Sequence, residues 1–237
     1  MHIPDGLIGD NPFGEIAGHA HEHVEGAVEH AHEASAIINP NYQLLIYAII
    51  AIILIAIVFY KYRQHHNEKN VVQIALFTVA VFIVQWIELP LPVAACVHIS
   101  LITVLALYDL EMSMIIYTFV TILQALILGE GGVSTLGVNL LNLAIIAPLI
   151  AYTVFNYTKK FNKTIALFLS GFLTITLLGV IVGIEYAIAG TFPLSYGLTV
   201  ITPVEAIVGI LEGIVTVFVM NALHKVKPEL APIMNEN

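Results

Sequence analysis

The sequence has few charged side chains and a single cysteine. Charged residues make up 11% of its 237 residues, against roughly a quarter in an ordinary soluble domain, while hydrophobic residues make up 59%. This shortage of charge excludes an ordinary soluble fold and predicts a chain that lies in lipid. The one cysteine, Cys96, excludes an internal disulfide and a cysteine-rich metal site, and a lone cysteine is most often a small buried apolar residue.

Basic residues are also scarce. Lys and Arg number 8 against 17 Asp and Glu, which gives a formal net charge of -9. Nucleic-acid binding is excluded, because binding the phosphate backbone requires a basic patch that this chain does not have. No Gly-x-x-x-x-Gly-Lys-Ser/Thr loop occurs, so the chain does not hydrolyse ATP by that route. Any ATP-driven step would therefore depend on partner proteins.

Other missing motifs restrict the function further. The sequence has no His-Glu-x-x-His helix of a membrane metallohydrolase, and no Lys inside its last apolar run that would form a retinal Schiff base. The first forty residues contain no basic segment followed by an apolar one, so no signal peptide is predicted. Met1 is accordingly expected to be the mature N-terminus.

Long apolar runs make up most of the chain. A bilayer core about 30 Å thick needs roughly 20 mainly apolar residues per crossing helix, and seven runs meet or approach this length, the third being short. They are Tyr42 to Tyr60, Val71 to Ile87, Val93 to Tyr108, Met112 to Leu128, Leu136 to Tyr157, Ile165 to Ala189 and Thr199 to Leu223. The runs predict an all-α membrane protein with about seven transmembrane helices.

The positions of the basic residues predict the orientation of these helices. Lys and Arg collect in cytoplasmic loops, and here they fall between runs one and two, between runs five and six, and after run seven. The residues are Lys61, Arg63, Lys69, Lys159, Lys160, Lys163, Lys225 and Lys227. All of them are cytoplasmic if the chain crosses seven times from an outer N-terminus. We therefore expect the N-terminus outside and the C-terminus in the cytoplasm.

A histidine-rich tract precedes the first apolar run. Its histidines stand beside acidic residues and are His19, His21, His23, His30 and His32. Neutral imidazoles bind Ni, Zn, Cu or Co, which makes the tract a candidate for auxiliary metal capture outside the membrane. The alternative is a solvated acidic loop that is largely disordered.

The first two residues, Met1 and His2, form a chelating pair. The free amino group, the amide nitrogen of His2 and the Nδ1 of its imidazole can reach one ion and close fused five- and six-membered rings. Displacing the amide proton takes a metal that prefers planar nitrogen ligands, so this set favours Ni(II) or Cu(II) over Zn(II) or Mg(II). The amine and the imidazole must both be unprotonated, and metal binding is therefore expected to weaken as the pH falls.

His98 is the candidate for a fourth nitrogen ligand. It follows the Pro90-Leu91-Pro92 break near the outer end of the third run. An ionisable side chain at membrane depth is a functional candidate by default. The other interpretation is a histidine that is hydrogen-bonded inside a helical bundle.

Four segments of the sequence, in this order, resemble one protein family. They are Met1-His2-Ile3-Pro4-Asp5-Gly6, the Pro90-Leu91-Pro92 segment with His98, the stretch from Gln124 to Pro148 that contains Gly129-Glu130-Gly131-Gly132 and Leu136-Gly137-Val138-Asn139, and Gly209-Ile210-Leu211-Glu212-Gly213. The family consists of the nickel and cobalt substrate-binding membrane components of energy-coupling factor transporters, called CbiM/NikM.

The resemblance implies a ligand set, a cargo and partners. Met1 and His2 would supply the amine, amide and imidazole nitrogens and His98 the fourth ligand, in a nearly square-planar arrangement. The cargo would be Ni(II), which the Ile-Pro-Asp-Gly opening favours, or Co(II) for cobalamin synthesis. The partners would be a coupling transmembrane subunit, two ATPase subunits and a small accessory membrane subunit. The chain would capture the metal outside and be reoriented to release it inside.

The resemblance also suggests roles for three amides, those of Gln124, Asn139 and Asn142. Amide side chains near a metal site orient its ligands, and these three would do so or cover the N-terminal loop, which is expected to fold into the bundle. Hydrogen bonds between helices explain amides at membrane depth equally well.

The expected organisation has four parts. Residues 1–10 form the chelating segment, residues 11–40 an extracytoplasmic His/Glu-rich insertion relative to the family, residues 41–224 the transmembrane bundle and residues 225–237 a cytoplasmic tail. The expected location is the cell membrane. A membrane metal sensor or a passive channel is the alternative from another class, and neighbouring genes for an ATPase and a coupling subunit would argue against it.

Overall fold

A computed structural model describes residue 3 and residues 37–65, 70–86, 89–90, 96–97 and 99–234 of the chain. Seven helical stretches in these ranges follow the order of the seven apolar runs. They are α1 (Pro40–His65), α2 (Asn70–Gln85), α3 (Ile102–Tyr108), α4 (Leu110–Leu128), α5 (Leu136–Thr158), α6 (Lys163–Ala189) and α7 (Leu194–Val226). Two 3-10 turns, Pro228–Leu230 and Pro232–Met234, follow α7. The predicted helical class is confirmed.

Five of these helices, α1, α4, α5, α6 and α7, are long and apolar enough to cross a membrane. By contrast, α2 has 16 residues, and α3 has 7, which span about 10 Å of a bilayer core about 30 Å thick. The protein is therefore a multi-pass membrane protein. Seven complete crossings and the orientation of the termini stay predictions.

The third predicted span, from about residue 93 to 108, is corrected by the structure. Leu89–Pro90 (β1) and Cys96–Val97 (β2) pair as short antiparallel strands, and the helix begins only at Ile102. Leu101 precedes it with a φ of 57°, a left-handed conformation that an α-helix does not continue through. A run that reads as one apolar helix thus contains a short strand, a turn and a short helix.

Asp109 separates α3 from α4. Its backbone is extended, with a φ of -157°, and its Oδ1 accepts a hydrogen bond of 2.8 Å from the amide of Met112. An aspartate at this position satisfies one of the free N–H groups of the first helical turn. The chain therefore ends one helix and starts another at a single residue.

Glycines bring α6 and α7 into close backbone contact. A Cβ placed on Gly171 would lie 2.8 Å from the Cα of Gly213, and one placed on Gly183 would lie 2.9 Å from the Cα of Gly197. Small residues at such positions let membrane helices approach closely without a hydrophobic driving force. This contact fixes the position of α7 relative to α6.

The helices differ in how much of their surface is covered. In α4 and α5, 61% and 67% of the apolar window is buried inside the protein, against 17% in α1 and 33% in α7. The interior therefore forms around α4 and α5, and the uncovered apolar faces of α1, α2 and α7 are the surfaces suited to lipid. Large exposed apolar side chains on those faces include Ile52, Leu76, Ile214 and Phe218.

Three helices contain π-helical segments, which the sequence did not predict. They are Gln124–Leu128 in α4, Leu140–Ile146 in α5 and Gly197–Ile201 in α7. A π-helical turn inserts an extra residue into an α-helix and is frequent at functional sites. Two of the three predicted amides, Gln124 and Asn142, lie in such segments.

Candidate metal-binding region

The predicted ligands Met1, His2 and His98 lie outside the described residues, and so do the five tract histidines His19, His21, His23, His30 and His32. The structure describes their chain neighbours instead: Ile3 directly follows His2, and Ser100 stands two residues after His98. Among the residues described, no group of three or more His, Cys, Asp and Glu side chains could hold a metal ion. Ile3 and Ser100 therefore show how the bundle supports the two predicted ligand positions.

Ile3 is held through both of its backbone polar groups. Its amide donates to Oδ1 of Asn139 at 2.8 Å, and its carbonyl oxygen accepts from Nδ2 of Asn139 at 3.1 Å. Thr135 Oγ1 also donates to this carbonyl, at 2.7 Å. The amide side chain of Asn139 thus provides an acceptor for the N–H group and a donor for the C=O group of Ile3, as another backbone segment would in regular secondary structure. The start of α5 thus fixes the residue next to the predicted chelate.

The side chain of Ile3 lies inside the bundle with 0% exposure. It belongs to one apolar cluster with Leu44 of α1, Val138 of α5, and Val182 and Tyr186 of α6. Burial of a whole isoleucine side chain contributes about 1.5–3 kcal/mol. Three helices therefore form the socket in which Ile3 is seated.

The socket depends on a close approach of α1 to α5. A Cβ placed on Gly137 would lie 2.5 Å from the Cβ of Ala48, which means that only glycine fits there. Gly137 lies between Thr135 and Asn139, the two residues that hold Ile3. A larger side chain would push α1 away from the face of α5 that carries these groups.

Ser100 is held by a carboxylate of the last helix. Glu212 Oε2 accepts from the amide of Ser100 at 3.0 Å, and Glu212 Oε1 accepts from the hydroxyl of Ser100 at 2.9 Å. Glu212 is 2% exposed and Ser100 7%. Hydrogen bonds to a carboxylate contribute about 1.5–3 kcal/mol each when buried. The segment that carries His98 is thereby tied to the middle of α7.

The carbonyl oxygen of Ser100 is bound from the other side. It accepts from Nε2 of Gln85 at 3.0 Å and from the hydroxyl of Tyr117. Gln85 Oε1 in turn accepts from Nε2 of Gln124 at 2.7 Å. All of these side chains are buried. Side chains from α2, α4 and α7 thus bind a single residue, Ser100. Their contacts fix the position of the chain segment around it.

These contacts explain the backbone at Leu101. Its left-handed φ of 57° is uncommon for a residue with a branched side chain and costs on the order of 1–3 kcal/mol. Before Leu101, the hydrogen bonds of Ser100 with Glu212 and Gln85 determine the direction of the chain. After Leu101, helix α3 determines it. The turn is therefore imposed by its surroundings, which is typical of functional segments.

The three predicted amides have different partners. Asn139 contacts Ile3, the residue next to His2. Gln124 contacts Gln85 and reaches the His98 segment only through it. Asn142 instead donates to Oε2 of Glu185, on α6, at 2.9 Å. Their proposed action on the metal ligands stays a prediction, although the contacts of Asn139 and Gln124 agree with it.

Glu212, Gln85 and Tyr117 were not assigned a role from the sequence. Glu212 could have been found, because a carboxylate in the middle of an apolar run is a functional candidate by default. Gln85 and Tyr117 give no such signal, since neutral polar side chains are common in membrane helices. Their partner is a backbone carbonyl, which sequence patterns do not identify.

The fold and this polar interior define a multi-pass membrane protein that binds two separate chain segments, at Ile3 and at Ser100, through buried hydrogen bonds inside a helical bundle. Residues 32–230 match the family described as "CbiM: Cobalt uptake substrate-specific transmembrane region". Because this match covers most of the chain, the protein belongs to the CbiM family. The predictions of the family, of a transport protein and of a membrane location are confirmed.

Two relatives illustrate the range of this family. The chain is 29% identical over 185 residues to a "Putative fused nickel transport protein NikMN" of Archaeoglobus fulgidus. This alignment covers 76% of this chain and 62% of the relative. It is 29% identical over 196 residues to "Cobalt transport protein CbiM" of Thermosipho melanesiensis, which covers 78% of this chain and 83% of the relative. The chain thus spans less than two thirds of the fused nickel protein.

Solved structures confirm the fold. The chain superposes on a "Crystal Structure of an transition metal transporter" with a TM-score of 0.74 at 20% identity, over 95% of this chain and 93% of that one. A truncated transition metal transporter gives a TM-score of 0.73 at 21% identity, over 95% and 99% of the two chains. At this level of identity, the likeness concerns the fold alone.

Proposed function

We propose that this chain captures Ni(II) outside the membrane and delivers it inward as the substrate-binding subunit of an ATP-driven importer. In this proposal the amine of Met1, the amide nitrogen and imidazole of His2 and the imidazole of His98 bind the ion in one plane. Four nitrogens in a plane leave little room for an activated water, so the site suits capture and not hydrolysis.

The observation that carries the proposal is that buried side chains of the bundle bind the residues beside both predicted ligand positions. Ile3, next to His2, is bound by Asn139 and Thr135, and Ser100, near His98, is bound by Glu212 and Gln85. Metal ligands need partners that fix their orientation, and removing such partners typically costs 10- to 100-fold in affinity. Rigid support beside both predicted ligand positions is what a preorganised chelate requires.

Nickel is preferred over cobalt on chemical grounds. A ligand set that includes a deprotonated amide favours ions with a strong preference for planar nitrogen coordination, and Ni(II) has this preference. The relative named as a nickel transport protein supports the same choice. Uptake of Co(II) by the same mechanism is the second candidate, and the family description and the relatives named as cobalt transport proteins favour it.

We further propose seven crossings with the N-terminus outside, and assembly with a coupling transmembrane subunit, two ATPase subunits and a small accessory membrane subunit. The absence of a phosphate-binding loop from this chain supports separate ATPase subunits. Net import requires that the chain bind the metal more tightly when it faces outward than when it faces inward. The partners would supply the energy for that change.

Metal accumulation in cells tests the transport function. Cells without their own nickel importer are expected to accumulate radioactive nickel when they express this chain together with the partner subunits. Uptake is expected to fall to background in His2→Leu, because leucine has no imidazole to complete the chelate with the amine of Met1. Cobalt is measured in parallel, and accumulation of cobalt in clear preference to nickel would favour the second candidate.

Two controls complete this experiment. His224→Ala changes a histidine at the far end of α7 and should leave uptake as in the wild type. Partner ATPase subunits with an inactivated phosphate-binding loop should abolish uptake. Nickel uptake that persists with the inactivated ATPase would contradict an ATP-driven importer and support a passive channel.

A further inference from the structure

A second polar cluster lies inside the bundle and takes no part in holding Ile3 or Ser100. It joins Glu185 of α6, Asn142 of α5 and Gln43 of α1. Asn142 Nδ2 donates to Glu185 Oε2 at 2.9 Å, and Gln43 Nε2 donates to the backbone oxygen of Glu185 at 3.0 Å. All three residues are at most 4% exposed. One amide thus binds the carboxylate of Glu185, and a second amide from another helix binds the backbone of the same residue.

Both amides direct only their nitrogen toward a hydrogen-bond partner. The side-chain oxygens Asn142 Oδ1 and Gln43 Oε1 are buried and have no hydrogen-bond donor in the part of the chain that is described. Buried polar atoms without a partner are uncommon, and each costs about 1–3 kcal/mol. Two such oxygens, both on amides that contact Glu185, call for a common explanation.

The missing group must carry positive charge or donate hydrogen bonds to oxygen. Lys and Arg occur in the described membrane helices only near their ends, at Lys61, Arg63, Lys163 and Lys225, so none is placed to neutralise Glu185. A carboxylate and two amide oxygens are the ligands that hard divalent cations take in proteins, usually together with water. A buried carboxyl group stays ionised only when its charge is paired, and a bound cation would pair that of Glu185.

The location of the cluster connects it with the N-terminal segment. Asn142 lies one turn beyond Asn139, which holds Ile3, and it lies in the π-helical segment Leu140–Ile146 of α5. Leu44 and Tyr186, which follow Gln43 and Glu185 in the sequence, pack in the same apolar cluster as Ile3. The chain neighbours of both Gln43 and Glu185 therefore contribute to the apolar cluster around Ile3, the residue beside the proposed chelate.

From these contacts we infer that Glu185, Asn142 and Gln43 form an oxygen-donor site for a divalent cation, which the transported ion occupies while partly hydrated before the nitrogen ligands take it. The identity of the ion rests on the function proposed above. Oxygen ligands hold nickel or cobalt more loosely than four nitrogens do. An ion in this site can therefore pass on to the chelate.

Manganese is the probe that separates this site from the chelate. Mn(II) is a hard ion that prefers oxygen ligands and does not displace amide protons, so binding of Mn(II) does not depend on Met1 and His2. Bound Mn(II) is counted by electron paramagnetic resonance on purified full-length protein. Glu185→Gln, which keeps the size and removes the charge, is expected to weaken Mn(II) binding at one site per chain by at least tenfold.

The loading rate of nickel gives the second readout. Glu185→Gln is also expected to slow the appearance of the planar Ni(II) absorption several-fold at equal nickel concentration. Glu229→Gln, the same change at an exposed carboxylate, should alter neither readout. If Glu185→Gln unfolds the protein, the same two measurements are made on Gln43→Met. This change removes one oxygen ligand and keeps the size of the side chain.

The outcomes separate this inference from the proposed function. Equal binding of Mn(II) by the wild type and by a folded Glu185→Gln or Gln43→Met protein would overturn the oxygen site, whatever happens at the chelate. Loss of Mn(II) binding in a protein that forms no planar nickel complex would keep the oxygen site and refute the chelate. A structural role alone would change thermal stability and leave binding of Mn(II) unchanged.

Discussion

Replacing Glu212 by alanine is expected to lower the Ni(II) affinity by at least about 100-fold. The carboxylate makes two buried hydrogen bonds to Ser100, at 3.0 and 2.9 Å. If each contributes about 1.5 kcal/mol to the correct position of the segment, their loss amounts to about 3 kcal/mol, or two powers of ten in affinity. Equilibrium titration of untagged protein in detergent with Ni(II) measures this change.

The chain offers a matched control for Glu212. Thr216 lies one turn away on α7, is fully buried, and its hydroxyl donates only to the backbone oxygen of Glu212 at 2.8 Å. Thr216→Val should therefore leave the affinity within a few-fold of the wild type. Glu212→Gln keeps an oxygen acceptor and should give an intermediate affinity. A Glu212→Ala protein that is folded and binds nickel as the wild type does would show that the Ser100 contacts do not support the metal site.

Replacing Asn139 by leucine is expected to reduce the Ni(II) affinity by about 10- to 100-fold, the usual effect of removing a group that orients metal ligands. Leucine has a similar volume and cannot pair with the amide and carbonyl of Ile3. The carbonyl oxygen of Ile3 would then keep only the hydrogen bond from Thr135, and the amide of Ile3 would lose its acceptor. The same nickel titration, combined with a thermal unfolding curve, separates the loss of metal binding from a loss of stability.

Asn139→Asp and Asn156→Leu make the test of Asn139 specific. Aspartate can still accept from the amide of Ile3 but cannot donate to its carbonyl oxygen, so its affinity should fall between those of the wild type and the leucine variant. Asn156 lies on the same helix, and its amide donates only to the backbone oxygen of Tyr152 at 3.0 Å. An equal loss of affinity in Asn156→Leu and Asn139→Leu would indicate a general effect on α5 and not the loss of the Ile3 contact.

The membrane helices were the most predictable part of the fold. A long apolar run has few alternatives in a bilayer, because every backbone polar group must be satisfied within the segment. The run from Tyr42 to Tyr60 accordingly corresponds to α1, which extends from Pro40 to His65. Apolar composition does not predict the structure where side chains from other helices provide the hydrogen bonds of the backbone, as Glu212 and Gln85 do for the amide and carbonyl groups of Ser100. There the run from residue 93 contains a turn and a short helix instead of a complete crossing.

The candidate metal site was predictable only in part, because its supporting contacts join residues that are far apart in the sequence. Ligand chemistry is local, so Met1 and His2 could be proposed from two adjacent residues. Asn139 was proposed from a motif, and its contact with Ile3 spans 136 positions of sequence. The carboxylate of Glu212 reaches Ser100 across 112 positions, and no motif connects the two. The π-helical turn around Asn142 also depends on packing, and no residue type in that segment predicts it.

Nickel loading of purified, untagged protein tests the central claim most directly. The wild type, His98→Ala, His2→Leu and the control His224→Ala are compared by bound nickel and by d–d absorption. We expect one yellow, diamagnetic Ni(II) per chain in the wild type and in His224→Ala, and its loss in the other two proteins. Retention of one tightly bound nickel in both His98→Ala and His2→Leu would contradict the planar N-terminal site and place the metal elsewhere in the chain.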